Sequence, residues 1–182
     1  MVQIFLVQHH VKYAKRMLNL SSAPQVKDAL GLNAEQTSYE GTVHFIEFIR
    51  EQEKFKKQYS RVILNEEKKL IGVITLKDID LTNKTSHIGT WIGFPYWGKG
   101  YNQLAKKDIL YDAFTKLDLE FVFAGAKKSN MRSQRAQAKL PYVKANVEKE
   151  FPTEYQKLSS RLNEQCILNV IEKKTFLHWY SQ

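Results

Sequence analysis

Apolar and polar positions alternate with two different periods along the chain, and the period changes near residue 60. Gln3 to Gln8 reads as a short apolar strand, and the polar stretch behind it opens a helix near Val11. Tyr13, Ala14, Met17, Leu18 and Leu20 give that helix an apolar stripe, and Ser21-Ser22-Ala23-Pro24 breaks it, because proline cannot continue a helix but can start one. A second, short helix runs to Leu30 with Gly31 as its stop. A third is predicted from about Thr42 to Gln58, with Val43, Ile46, Ile49, Phe45 and Phe48 as its apolar face and Glu51 to Lys57 as its solvated end.

Beyond that point the pattern is that of strands. Arg61 to Leu64 and Leu70 to Leu76 are rich in β-branched residues, and Asn65 to Lys68 make a hairpin between them. Ser86 to Phe94 is a third strand; its alternation puts Ile88, Ile92 and Phe94 on one face and His87, Gly89, Trp91 and Gly93 on the other. From Gly100 to Leu117 helical spacing returns, with Tyr101, Ala105, Ile109, Ala113 and Leu117 in register. A strand over Leu119 to Ala124 and a short helix over Asn130 to Leu140 follow. Tyr142 to Phe151 and Gln165 to Ile171 read as late strands separated by a polar helical insert, and Phe176 to Tyr180 docks on the core. No repeat, linker or low-complexity tract interrupts this order. It predicts an α/β (α+β) fold, a single domain over residues 1–182 around one central sheet.

Composition narrows the picture. Hydrophobic residues at 43% and charged residues at 26% are the ordinary globular balance, so a core of normal size is expected. The net charge of +9 has three readings. Basic residues are scattered among acids, so a solubilising surface comes first; a funnel for a small polyanion comes second and nucleic acid third. No stacking-aromatic RNA-recognition pattern accompanies the charge. The lone Cys166 excludes an intrachain disulfide and sits in an apolar run, where a buried structural thiol is expected. His9, His10, His44 and His178 share no ligand spacing, so no metal is assigned. The N-terminus does not read as a signal peptide and no apolar run approaches a membrane span; a cytoplasmic protein is expected, with no membrane partner.

The most informative segment is Trp91-Ile92-Gly93-Phe94-Pro95-Tyr96-Trp97-Gly98-Lys99-Gly100-Tyr101. A strand runs through an aromatic corner and a glycine turn into a helix. The first N–H groups of a helix have no intrahelical acceptor, and glycine lets the backbone approach a ligand closely, so the segment predicts a phosphate site. It is not a dinucleotide loop of the Rossmann type, because Gln103 occupies the third glycine position. It is not a P-loop either: Lys99 precedes Gly100 and Tyr101 stands where the hydroxyl ligand of magnesium would be.

The arrangement resembles the GNAT acyltransferase superfamily, in the branch of the acetyltransferases of ribosomal-protein N-termini. Four stretches carry the likeness: Ile88-Gly89-Thr90-Trp91-Ile92-Gly93, the Pro95 to Tyr101 loop, Phe121-Val122-Phe123-Ala124-Gly125-Ala126, and the helix Ser129-Asn130-Met131-Arg132-Ser133-Gln134-Arg135 that ends in Lys139-Leu140-Pro141-Tyr142. The resemblance implies a mixed, mostly antiparallel sheet of about six to seven strands, splayed in the middle, with helices on both faces. It implies acetyl-CoA as co-substrate. Trp91, Ile92 and Gly93 would line the pantetheine arm. Amides from Trp97 through Gly98, Lys99, Gly100 and Tyr101 to Asn102 would hold the pyrophosphate, with Gln103 as a side-chain contact. Asn130 would sit beside the pantetheine, Ser133 near the thiol, and Arg135 toward the nucleotide end.

The implied reaction is direct transfer to a primary amine, a small molecule or a peptide N-terminus. An amine nucleophile must first lose a proton, and His87, at a position where relatives often carry glutamate, is the candidate base. A strand-end histidine that merely hydrogen-bonds is the competing reading. Ser133 is the candidate group at the sulfur. Two departures stand out: Gln137 replaces the tyrosine acid of many relatives, and Pro141-Tyr142 replaces a terminal Gly-Phe. They keep alive an alternative, a CoA-binding sensor or partner module with little turnover. The acceptor, shaped by Val11 to Gln58 and Pro152 to Glu164, and the oligomeric state, a homodimer among the options, are left open.

Overall fold

The computed structural model describes all of residues 1–182. Its strands are β1 (Ile4–Val7), β2 (Tyr59–Asn65), β3 (Leu70–Asp80), β4 (Thr85–Ile92), β5 (Phe121–Lys127), β6 (Val143–Lys144) and β7 (Cys166–Glu172). Its helices are α1 (Ala14–Ser21), α2 (Pro24–Leu30), α3 (Tyr39–Lys54), α4 (Tyr101–Thr115), α5 (Met131–Ala138), α6 (Pro152–Leu162) and α7 (Lys173–Tyr180), with 3-10 turns at Val11–Tyr13 and Phe94–Tyr96. The strands join in one mixed sheet of order β1-β2-β3-β4-β5-β7-β6. The chain divides into two compact units: Met1–Lys77 with Gly89–Ile109, and Asp78–Ile88 with Leu110–Gln182.

In the first unit β1 pairs antiparallel with β2 from Ile4↔Asn65 to Val7↔Val62, and β2 with β3 from Tyr59↔Leu76, with a bulge between Ile63 and Leu64. The apolar faces of α1 and α3 cover these strands in a core of Ala14, Met17, Ile46, Val62, Leu64, Leu70 and Val73. Burying each of the Met, Ile, Val and Leu side chains among these stabilises by about 1.5–3 kcal/mol. Helix α3 starts earlier than its periodicity predicts, because Ser38 accepts a hydrogen bond from the Gly41 N–H at 3.0 Å and caps the helix at Tyr39. It ends at Lys54, and Lys56 follows in the left-handed region at φ +54°. Only part of its expected apolar face is buried. Thr42, Ile46 and Ile49 turn inward, whereas Phe45 and Phe48 are exposed, because five apolar positions in seven residues span more of the helix circumference than one neighbouring layer covers.

In the second unit β4 and β5 run parallel through Thr85↔Phe121, Ser86↔Val122 and His87↔Phe123. Strand β5 then pairs antiparallel with β7 from Phe121↔Glu172 to Lys127↔Cys166. Phe123, Val147, Leu158, Cys166, Leu168 and Val170 form the core under α6. Cys166 is 1% exposed and burial pushes its thiol up. Phe176 of α7 is fully buried against Phe114 and Tyr142.

The segment from Tyr142 to Phe151 is not the strand its alternation predicts. Pairing stops after Val143↔Ile171 and Lys144↔Val170. The chain turns at Asn146, φ +56°, and single bonds take over: the Asn146 N–H donates to Asn169 Oδ1, the Val147 N–H to the Leu168 carbonyl, and the Leu168 N–H to Glu148 Oε1.

Candidate active site

In the first unit the expected cofactor residues follow one another along the end of β4 and the start of α4. Trp91 packs on the core while Ile92 is buried, and the Ile92 carbonyl accepts a hydrogen bond from the Trp97 indole at 2.6 Å. That bond closes the aromatic corner, with Phe94 edge-on to Trp97. The Gly93 N–H donates to the Ile71 carbonyl at 2.7 Å, so this amide is already engaged. Gly98 and Gly100 then adopt φ of +74° and +86°, and a Cβ built on either would meet nothing within 4 Å. These are positions where an L side chain is strained and where the space beside the backbone is open.

Helix α4 begins directly after this turn. The Leu104 N–H donates back to the Gly100 carbonyl at 3.3 Å, so the amides of Tyr101, Asn102 and Gln103 precede the first turn's acceptors. Tyr101 is 5% exposed and its hydroxyl donates to the Glu66 carboxylate, with oxygens at 3.0 and 3.1 Å, which pins the start of the helix to the β2–β3 turn. Asn102 Oδ1 is buried without a hydrogen-bond donor. Lys99 is exposed, with its ammonium 5.7 Å from the centre of the Tyr96 ring, and Gln103 is exposed too. Open glycines, acceptorless amides and an enclosed free acceptor fit a diphosphate with polar groups attached to it.

In the second unit the residues expected to handle protons form two groups. The first is His87, whose Nε2 lies 2.6 Å from Glu154 Oε2. His87 is 3% exposed, and its ring stands against Phe123 with centroids 5.3 Å apart. Its Nδ1 is buried with no partner. Burial pushes the imidazole below its ordinary 6.5, and the Glu154 carboxylate pulls back against that. Burial acts to raise the Glu154 carboxyl, but bonds from His87 and Lys157 hold it below its ordinary value, so the pair is a neutral imidazole beside an ionised carboxylate.

The second group is built on α5. Asn130 Oδ1 accepts from the Ser133 N–H at 3.1 Å and caps the helix. Gln137 Nε2 donates to Ser133 Oγ at 3.3 Å and to the Gly125 carbonyl at 3.2 Å, while Gln137 Oε1 accepts from Asn169 Nδ2 at 2.6 Å. Ser133 Oγ therefore serves as an acceptor, which leaves its own O–H to donate. Gln137 is buried and fully engaged, so it supplies no acid where the resemblance implies a tyrosine. Tyr142 does not substitute for it, because its ring is packed between Phe176 and Trp179. Arg135 is exposed in the last turn of α5. His87 and Ser133 share no hydrogen bond.

Glu154, the carboxylate bonded to His87, is the side chain of this cluster that sequence reasoning missed. The only local signal was an acidic residue just after Phe151-Pro152, where a carboxylate suits a helix N-terminus. Nothing nearby in sequence pointed to His87.

The fourth strand of the mixed sheet thus runs through a glycine turn into a helix whose first amides suit a phosphorylated ligand. Residues 3–142 match the family model described as acetyltransferase (GNAT) domain, and the chain belongs to that family. The family's acyl donor is acetyl-CoA.

The uncharacterized N-acetyltransferase p20 of Bacillus licheniformis is 25% identical over 113 residues, which are 62% of this chain and 61% of that protein. Two solved structures share the fold at lower identity. The microcin C7 self-immunity acetyltransferase MccE, in complex with acetyl-CoA and AMP, is 18% identical with a TM-score of 0.71, covering 93% of this chain and 92% of its own. A chimera of spermidine N-acetyltransferase SpeG from Vibrio cholerae and hSSAT is 16% identical with a TM-score of 0.70, covering 96% and 98%.

Proposed function

We propose that this protein acts as one acetyltransferase domain over residues 1–182 and moves an acetyl group from acetyl-CoA to a primary amine, on a small molecule or at a peptide or protein N-terminus. The observation that carries the reading is the glycine turn at Gly98 and Gly100, open to a ligand and followed by the unaccepted amides of α4. Family membership supports the donor, and the acetyl-CoA held by MccE and the spermidine named for SpeG support the two halves of the reaction. No helix of the protein is long and apolar enough to cross a membrane.

The thioester supplies an activated acetyl group. In the first unit the amides of Tyr101, Asn102 and Gln103, reached through the glycine turn, bind the diphosphate, and Lys99 adds attraction as a point charge. In the second unit His87, neutral at physiological pH, takes the proton that the acceptor's ammonium must lose. Asn130 fixes the first turn of α5, and Ser133 directs its free O–H to the departing sulfur. No covalent enzyme intermediate is needed, and the one cysteine is buried.

The engaged Gln137 favours a second reading, a CoA-binding module with little turnover, because it leaves the leaving thiolate with Ser133 alone. Calorimetry with CoA and thiol release from acetyl-CoA over a panel of amines separate the two. Binding together with amine-dependent thiol release supports the transferase; binding with no release above hydrolysis leaves the module. Gly100→Ala tests the site itself. Its methyl group occupies the open space beside the backbone where the ligand must approach, so CoA affinity should fall about tenfold or more.

A further inference from the structure

We infer that Glu154, on the helix between β6 and β7, is a positioning residue for the proton acceptor on β4: its carboxylate holds the His87 ring with hydrogen on Nε2 and leaves Nδ1 as the accepting nitrogen. This rests on the acetyltransferase reading above. Glu154 lies beyond the residues matched by the family model, so membership alone does not assign it.

The geometry is that of an oriented imidazole. The two side chains are 4% and 12% exposed, and the 2.6 Å contact is shielded from water. An ionised carboxylate can only accept, so the hydrogen between the two groups belongs to Nε2 and Nδ1 carries a lone pair. Phe123 fixes the ring plane from one side. The carboxylate is itself held: Glu154 Oε1 takes the Lys157 ammonium at 3.0 Å, and Glu154 sits in the first turn of α6, whose dipole favours a negative charge. Nδ1 of His87 is enclosed and unpartnered, so its lone pair is free to accept from an acceptor amine that reaches it.

The charged groups around the ring are few. Glu154 and Asp78 favour a proton on it, Arg161 opposes one, and Arg161 is itself paired with Asp78. Removing the Glu154 charge while keeping its shape therefore has a definite sign. Glu154→Gln loses the group that raises the imidazole's affinity for protons, so His87 titrates at lower pH.

The test uses the full chain. Nitrogen NMR of the histidine rings, with His87→Ala to assign the signals, reads the tautomer and titration midpoint without any substrate. The expected result is hydrogen on Nε2 with a midpoint below 6.5 in the wild type, a lower midpoint in Glu154→Gln, and mixed tautomers in Glu154→Ala. With the best amine from the panel, the acid limb of kcat/KM should move to lower pH in Glu154→Gln. The fall in kcat should be smaller than the about 10²–10⁴-fold fall expected for His87→Ala.

Hydrogen on Nδ1 in the wild type overturns the inference, and so does a Glu154→Gln protein with an unmoved midpoint. If Glu154→Ala does not fold, the isosteric glutamine variant decides. If no amine is acetylated, the tautomer and midpoint still decide. A His87→Ala protein with full turnover removes both the base and its positioning residue. Retained CoA binding in that variant would leave the acetyltransferase reading standing.

Discussion

Two histidines lie buried in this protein, one in each unit, and their partners set them apart. His9, 4% exposed, bonds through Nε2 to the Ser60 hydroxyl at 2.8 Å, and Ser60 Oγ in turn lies 2.7 Å from Thr75 Oγ1. His87, equally buried, bonds through Nε2 to a carboxylate. Both leave Nδ1 enclosed and unpartnered. A hydroxyl offers no charge to stabilise an imidazolium, so burial, helped by the Arg61 charge, pushes His9 down to about 4. The carboxylate opposes the same burial cost at His87. Similar desolvation thus gives a histidine locked in the neutral form and one still able to carry a proton.

The comparison breaks most visibly in turnover. His87→Ala should lower kcat/KM by about 10²–10⁴-fold with CoA affinity unchanged, while His9→Gln leaves both near the wild type. Thiol-release kinetics beside calorimetry would show it, and equal losses in the two variants would erase the distinction.

The next largest effect is in stability against pH. Because the folded His9 titrates at about 4 against an ordinary 6.5, the unfolded chain takes up the proton first. The stabilisation is complete above 6.5 and is lost as pH falls toward 4, a drop of about 3 kcal/mol at about 1.4 kcal/mol per unit. His9→Gln should flatten that part of the curve in urea melts taken between pH 7 and pH 4. A smaller effect sharpens the same contrast. Ser60→Ala strands both His9 Nε2 and Thr75 Oγ1, and should cost about 1–3 kcal/mol in the same melts without changing kcat.

How much of this was legible depends on range. The glycine turn was readable because its chemistry is local: Gly98, Gly100 and the helix start are consecutive, and the backbone does the binding. The cap of Asn130 on Ser133 is equally local, spanning three residues, yet the sequence marked Asn130 only through the family resemblance. His87 stood out by its place on the strand, but Glu154 is 67 residues away on a polar helix with nothing to mark it. The Gln137–Asn169 bond is hidden in the same way, with two amides 32 residues apart. The succession of strands and helices along the chain followed from the periods; the place of β7 between β5 and β6 in the sheet did not. The segment after Tyr142 did not, because alternation cannot tell a paired strand from a chain held by a few side-chain bonds to Asn169 and Glu148.

The seclusion of Cys166 has a practical corollary for the bench. A disulfide reagent added to the native protein meets no accessible sulfhydryl of the chain, so the colour it develops in a transfer assay counts the released coenzyme alone. Warmed or placed in urea without any coenzyme, the same mixture becomes a clock, and one equivalent of colour per chain reports the moment the β7 end of the second unit opens.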